Sequence, residues 1–167
     1  MIGAARLDGA VFEAVRDDRF ATFQSLQVVL LAALSAAMSG TLPSAEDSRV
    51  ALAAAIVAWL AWVFFAHVTA TRAFGLGGER PDWNRLLRTA GMAVSPAILL
   101  LFARVPWAGV IIFAFATGWS AVTMTAAVRY TYDGATWGRA IQASVIGWLA
   151  AIIVYGAIVL IDTQVRG

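Results

Sequence analysis

Five long apolar runs, separated by short loops that hold nearly all the charge, restrict this chain to one kind of surroundings. The runs occupy about 22–40, 50–71, 86–103, 107–128 and 140–161. Each is close to the roughly 20 residues an α-helix needs to cross about 30 Å of hydrocarbon. A backbone in lipid must satisfy its own hydrogen bonds, and a helix does so within one segment. The expected fold is therefore all-α: a polytopic membrane bundle of five transmembrane helices over 22–161, with short tails at 1–21 and 162–167. Composition agrees. Of 167 residues, 61% are hydrophobic and 13% charged, with mean hydropathy +0.79, whereas soluble domains carry about a quarter charged residues.

The segment WNRLLRTAGMAVSP, residues 83–96, is where the chain re-enters the bilayer. It begins polar and doubly basic and turns apolar within one helical turn. Pro96 lacks the backbone N–H and is expected to kink the third span, with Gly91 and Ser95 leaving room for close packing. In the first span Ala32, Ala36 and Gly40 make a small-xxx-small ladder that lets another helix approach. Trp59, Trp62, Trp119 and Trp148 fall inside spans rather than at their ends, and the side each faces is not legible.

Residues 1–21 have helical periodicity. Asp8 is a plausible N-cap, and Val11, Phe12, Val15 and Phe20 recur near helical spacing with Glu13, Arg16, Asp17 and Asp18 between them. One reading is a short interfacial amphipathic helix in the headgroup layer, the other a frayed terminus. A cleaved signal peptide fits the basic flank, but the apolar run that follows has the length of a span.

The arginines orient the chain. Nine of the twelve lie at the N-terminus, in the 72–88 connection and in the 129–139 connection; only Arg49, Arg104 and Arg166 lie on the other side. The positive-inside rule puts the N-terminus in the cytoplasm and, after five crossings, the 162–167 tail outside. Arginine without lysine, together with abundant alanine, suggests a GC-rich bacterial genome and hence the inner, cytoplasmic membrane.

Candidate contact residues gather on that cytoplasmic side. Trp83 is placed as an interface anchor. Arg85 and Arg88, three apart on a helix, share a face on which two guanidinium groups could grip phosphates or a partner's carboxylates. The 129–139 connection adds Arg129, Tyr132, Trp137 and Arg139. Interleaved aromatic and basic residues at a membrane boundary imply anchoring to anionic lipid headgroups, or a docking surface for a protein partner.

Little chemistry is encoded. With no cysteine, disulfides and iron–sulfur clusters are excluded, and a net charge of +2 does not suit a nucleic-acid binder. His67, the single histidine, is a candidate haem or pigment ligand; the alternative is a hydrogen bond to a neighbouring helix. Glu46, Asp47, Asp82, Asp133 and Asp162 all fall in loops or at helix ends, which argues against proton relays and ion-coupled transport. GLGG at 75–78 lacks a preceding strand and reads as a flexible linker. The expectation is a non-enzymatic protein with no cofactor and no metal.

Two stretches resemble a known family. WNRLLRTAGMAVSP, together with GWSAVTMTAAVRYTYDGATWGRAI at the fourth span and its exit, is similar to the corresponding segments of bacterial Yip1-domain proteins. VFEAVRDDRFATFQSLQVVLLAAL resembles their entry into the first span, so the likeness covers about 11–161. It implies five spans, a cytoplasmic N-terminus and a scaffold or adaptor role; eukaryotic relatives are adaptors that bind small GTPases. The other readings are an accessory subunit of a larger respiratory or photosynthetic membrane complex and a small transporter or channel.

Overall fold

The computed structural model describes residues 3, 6–39, 48–78 and 82–166. Over these residues the chain is helical, with five helices long and apolar enough to cross a membrane and a short helix before them. Gly40, Glu46, Asp47, Arg80 and Pro81 lie outside the described residues.

Helix α1, Gly9–Asp17, starts where the Asp8 carboxylate accepts from the Ala10 N–H at 3.1 Å, satisfying one of the first-turn donors that a helix leaves unpaired. Helix α2 is Ala21–Met38 and α3 is Ser48–Val68, continued by a π turn over Thr69–Ala73. Helix α4, Trp83–Ala93, is capped by Asp82, which accepts from the Asn84 N–H at 2.8 Å. A 3-10 helix over Ser95–Arg104 completes the third span. Helix α5 is Gly109–Thr131 and α6 is Trp137–Arg166.

The crossings run Ala21–Met38, Arg49–Ala73, Trp83–Arg104, Gly109–Thr131 and Trp137–Arg166. The second, third and fifth extend beyond the ranges expected from hydropathy at both ends, while the fourth begins two residues later and ends three later, because helical hydrogen bonding need not stop where apolarity does. At 30 residues, α6 is about 45 Å long at 1.5 Å per residue, more than the bilayer core requires.

The third span departs from expectation. Pro96 does not kink a continuous α-helix; the α-helix ends at Ala93, and Pro96 sits in the first turn of the 3-10 helix. Without an N–H, and with its ring against the carbonyl four residues back, proline cannot continue the α pattern. The tighter 3-10 winding is the form the chain takes beyond it.

Small residues and hydroxyls hold the bundle together. Gly91 brings α4 against α2, where an added Cβ would lie 2.7 Å from the Ser25 Cβ. Ser25 Oγ donates there to the Arg88 carbonyl at 2.7 Å. Thr123 Oγ1 of α5 donates to the Ala93 carbonyl at 2.5 Å, and the hydroxyls of Thr89 and Thr131 share a hydrogen bond at 2.6 Å. At Gly147, α6 meets α3, and Trp62 Nε1 donates to the Ser144 carbonyl at 2.9 Å. Close backbones joined by hydroxyl and indole hydrogen bonds suit association in lipid, where apolar burial supplies no drive. Leu30, Phe65, Ile153 and Leu160 point outward, as hydrocarbon surroundings permit.

Candidate functional site

The polar side chains converge where α1 docks on α4 and α5. Phe12, the fully buried residue of α1, stacks on Tyr130 with ring centroids 6.0 Å apart. The amphipathic helix therefore turns its apolar surface to the bundle. Its C-terminal carbonyls need donors, and Arg88 supplies two: Nε and Nη2 donate to the Arg16 carbonyl at 3.1 and 2.6 Å. Arg16 donates in turn to the Asp17 carboxylate, to the Tyr130 carbonyl at 3.2 Å and to Asp133 at 3.4 Å. Arg85 pairs from the outside with Asp17 at 3.6 Å and Asp82 at 3.8 Å.

This arrangement shifts two ionisations. The Asp17 carboxyl lies below its ordinary value chiefly because Arg16 donates to it, with Arg85 and Arg88 adding favourable charge. The same contact raises the Arg16 guanidinium further above its usual range.

A second cluster ties α3, α4 and the exit of α5. His67 Nδ1 and the Tyr132 hydroxyl are 2.5 Å apart, and the Trp83 ring stands edge-on to His67 at 5.2 Å and to Phe64 at 6.3 Å. Burial pushes the Tyr132 phenol upward, and the nearby Asp82 adds to the shift. Of the two readings of His67, the structure displays the hydrogen bond between helices.

The expected contact residues thus separate. Arg88 and Tyr132, 7% and 2% exposed, are withdrawn from any headgroup: one is covered by α1, the other is turned inward to His67. The shared face expected for Arg85 and Arg88 does not exist as a surface, because α1 lies over half of it. Arg85 is exposed but ion-paired, and Trp83 is half-buried against aromatic neighbours. Arg129 lies over the Tyr130 ring at 5.8 Å. Trp137, 48% exposed, also stands edge-on to Tyr130, and Arg139 is exposed with no ion pair among the described residues.

Arg19 and Arg72 are not among the expected contact residues, and Phe20 is expected only as an apolar position of the N-terminal helical pattern. Phe20 is 87% exposed beside exposed Arg19 at the entry to α2. Arg72 is exposed in the π turn that ends α3. A signal was present: Arg19–Phe20 repeats, at the start of one span, the cation-beside-aromatic pattern of Trp137 and Arg139 at the start of another. Among the described residues no three metal-ligating side chains cluster. What this end offers is two exposed aromatic rings, each with a guanidinium one or two residues away. A tryptophan ring in such a place sits in the headgroup layer, a phenylalanine ring enters the acyl boundary beneath it, and guanidinium groups pair with phosphate.

Comparison with protein-family models, curated proteins and solved structures finds no match to this chain.

Proposed function

We propose that this multi-pass protein is a non-enzymatic membrane scaffold of a bacterial inner membrane, with the α1 end in the cytoplasm holding anionic lipid headgroups. The observation that carries this is the pair of exposed aromatics, Phe20 and Trp137, beside Arg19 and Arg139, which have no ion pair among the described residues. Arg72 adds a cation at the same end. Each guanidinium near an anionic surface contributes about 1 kcal/mol. A resemblance to Yip1-domain proteins is compatible with such a scaffold, and the reading does not depend on it.

The test is retention of phosphatidylglycerol over phosphatidylcholine by the protein purified in nanodiscs. Arg19→Ala with Arg139→Ala is expected to lower the preference by about 1 kcal/mol per charge removed. An unchanged preference rejects headgroup binding at this end; a cytoplasmic protein co-purifying through the same arginines would make the surface an adaptor instead. The chain has no cysteine, so Ala10→Cys and Thr163→Cys each report one position to an impermeant label in intact cells. Both on one side would remove the proposed orientation.

A second reading, an accessory subunit of a larger membrane complex, is favoured by α6. Trp148, Leu149, Ile152 and Ile153 leave its outer side apolar and uncovered. Stoichiometric subunits retained after gentle detergent extraction would establish it.

A further inference from the structure

Helix α2 is the shortest of the five crossings. Its 18 residues reach about 27 Å at 1.5 Å per residue, against about 30 Å of hydrocarbon. No part of it is left over to stand in water. It packs on α3 and the third span and leaves its other side uncovered. On that side Gln24, Gln27, Leu31, Leu34 and Met38 follow one another at spacings of three, four, three and four, and all five are exposed. Positions spaced this way form one nearly straight seam, the a and d positions of a heptad.

Two residues of the seam do not suit lipid. The side-chain amides of Gln24 and Gln27 have no hydrogen bond among the described residues. Ser25 and Ser35 of the same helix, by contrast, donate to the carbonyls of Arg88 and Leu31. Gln27 stands six residues past Ala21, about 9 Å into the span. An amide in hydrocarbon without a partner is costly, and no water is there to supply one.

Gln142 marks the difference. It too is exposed and without a partner among the described residues. But α6, with 30 residues, is about 15 Å longer than the hydrocarbon requires. That excess is enough to keep Gln142, five residues past Trp137, in the headgroup layer. Helix α2 has no such excess.

We propose that the seam pairs with itself: two copies of the chain associate through α2, with Gln24 and Gln27 hydrogen-bonded to the same residues of the second copy. Two copies inserted the same way round in one membrane form a closed pair only about a twofold axis along the membrane normal. That axis sets α2 parallel to its counterpart and brings each seam residue opposite itself. A primary amide satisfies itself in that position, since it carries both donors and an acceptor; a carboxylate or a guanidinium would repel its own copy. Leu31, Leu34 and Met38 fill the rest of the seam by packing, and amide hydrogen bonds across helices add the directional part. The pairing stands whether or not headgroups are held at the α1 end.

The experiment uses the full chain in phosphatidylcholine vesicles. The chain has no cysteine, so single cysteines report contacts between copies. Copper-phenanthroline oxidation is expected to join copies through Leu31→Cys and Leu34→Cys at least fivefold more than through two exposed controls. One control is Leu26→Cys, on the same helix but about 100° round from Gln27; the other is Ile153→Cys on α6. Energy transfer between copies labelled at Thr163→Cys, followed as the chain is diluted in lipid, is expected to report a dimer. Gln24→Leu with Gln27→Leu should weaken that dimer about tenfold at unchanged helical circular dichroism, and Gln142→Leu should leave it as it is. A chain that stays monomeric overturns the proposal. So does a double leucine variant that dimerises as the parent does, or crosslinking at Leu26 or Ile153 as strong as at Leu31.

Discussion

Arg88 donates through both Nε and Nη2 to the main-chain carbonyl of Arg16. A buried cation of the third span thereby closes the last turn of α1, and its charge also favours the negative end of that helix dipole.

Replacing Arg88 should therefore undock α1 instead of merely weakening lipid binding. Hydrogen bonds from a charged group contribute about 1.5–3 kcal/mol, so Arg88→Ala should expose the segment around Phe12 to faster amide exchange by about that free energy. Arg88→Lys should fail to restore it, since an ammonium lacks the planar fork that reaches one oxygen with two N–H groups. Exposed Arg85, changed to Ala, should leave α1 exchange nearly as it is. Equal effects of the two substitutions would remove the clasp.

The ion pairs beside this contact have a defined pH dependence. Asp17 titrates below its ordinary value of 3.8 because Arg16 donates to its carboxylate. Its contribution is complete above the unfolded value and is lost as pH falls through the lowered one. The Arg16 contact lies within α1, so only the attraction of Arg85 and Arg88 is lost on undocking, and docking should be level from pH 8 to about 5 and weaken slightly below about 4. Asp17→Asn should flatten the acid limb while the neutral Arg16 carbonyl continues to accept from Arg88. A transition near pH 6.5, read by exchange at Phe12, would assign the dependence to another group.

His67 and Tyr132 are 65 residues apart in sequence and joined by one hydrogen bond. Tyr132→Phe keeps the buried ring and removes the hydroxyl, so it should cost about 1 kcal/mol in thermal stability in detergent. In a double-mutant cycle with His67→Leu, the coupling should come out near 1 kcal/mol, because each partner has value only while the other is present. Additive losses would mean that the contact contributes nothing.

The number and approximate position of the spans were legible because hydrocarbon demands long apolar helices wherever the chain crosses. Asp8 likewise announced the start of α1 through local cap chemistry. What failed to show depended on contacts remote in sequence. Arg85 and Arg88 have the spacing of a shared face, yet only the docking of α1 makes one a surface residue and the other a buried strut. Pro96 marked the place where the α-helix could not continue, but a stretch as uniformly apolar as 97–103 carries no periodicity by which 3-10 winding could be told from α. Trp59 and Trp62 look alike in sequence; Ser144 on α6 satisfies one indole, and the other has no partner among the described residues.

Gly147 tests whether α3 and α6 are held by backbone proximity. An added Cβ there would overlap the Trp62 carbonyl and lie 2.6 Å from its Cδ1. Neither group can retreat freely, because the same indole donates to Ser144 one turn earlier on α6. Gly147→Ala should therefore separate the helices and cost about 1–3 kcal/mol, the range for overpacking, although alanine is intrinsically the better helix former by about 1 kcal/mol. Gly118 on α5 is the control, since a Cβ there meets nothing within 4 Å, and Gly118→Ala should be neutral or slightly stabilising. Thermal unfolding in detergent compares the two. If both alanine variants are equally stable, the α3–α6 contact is looser than the packing at Gly147 requires.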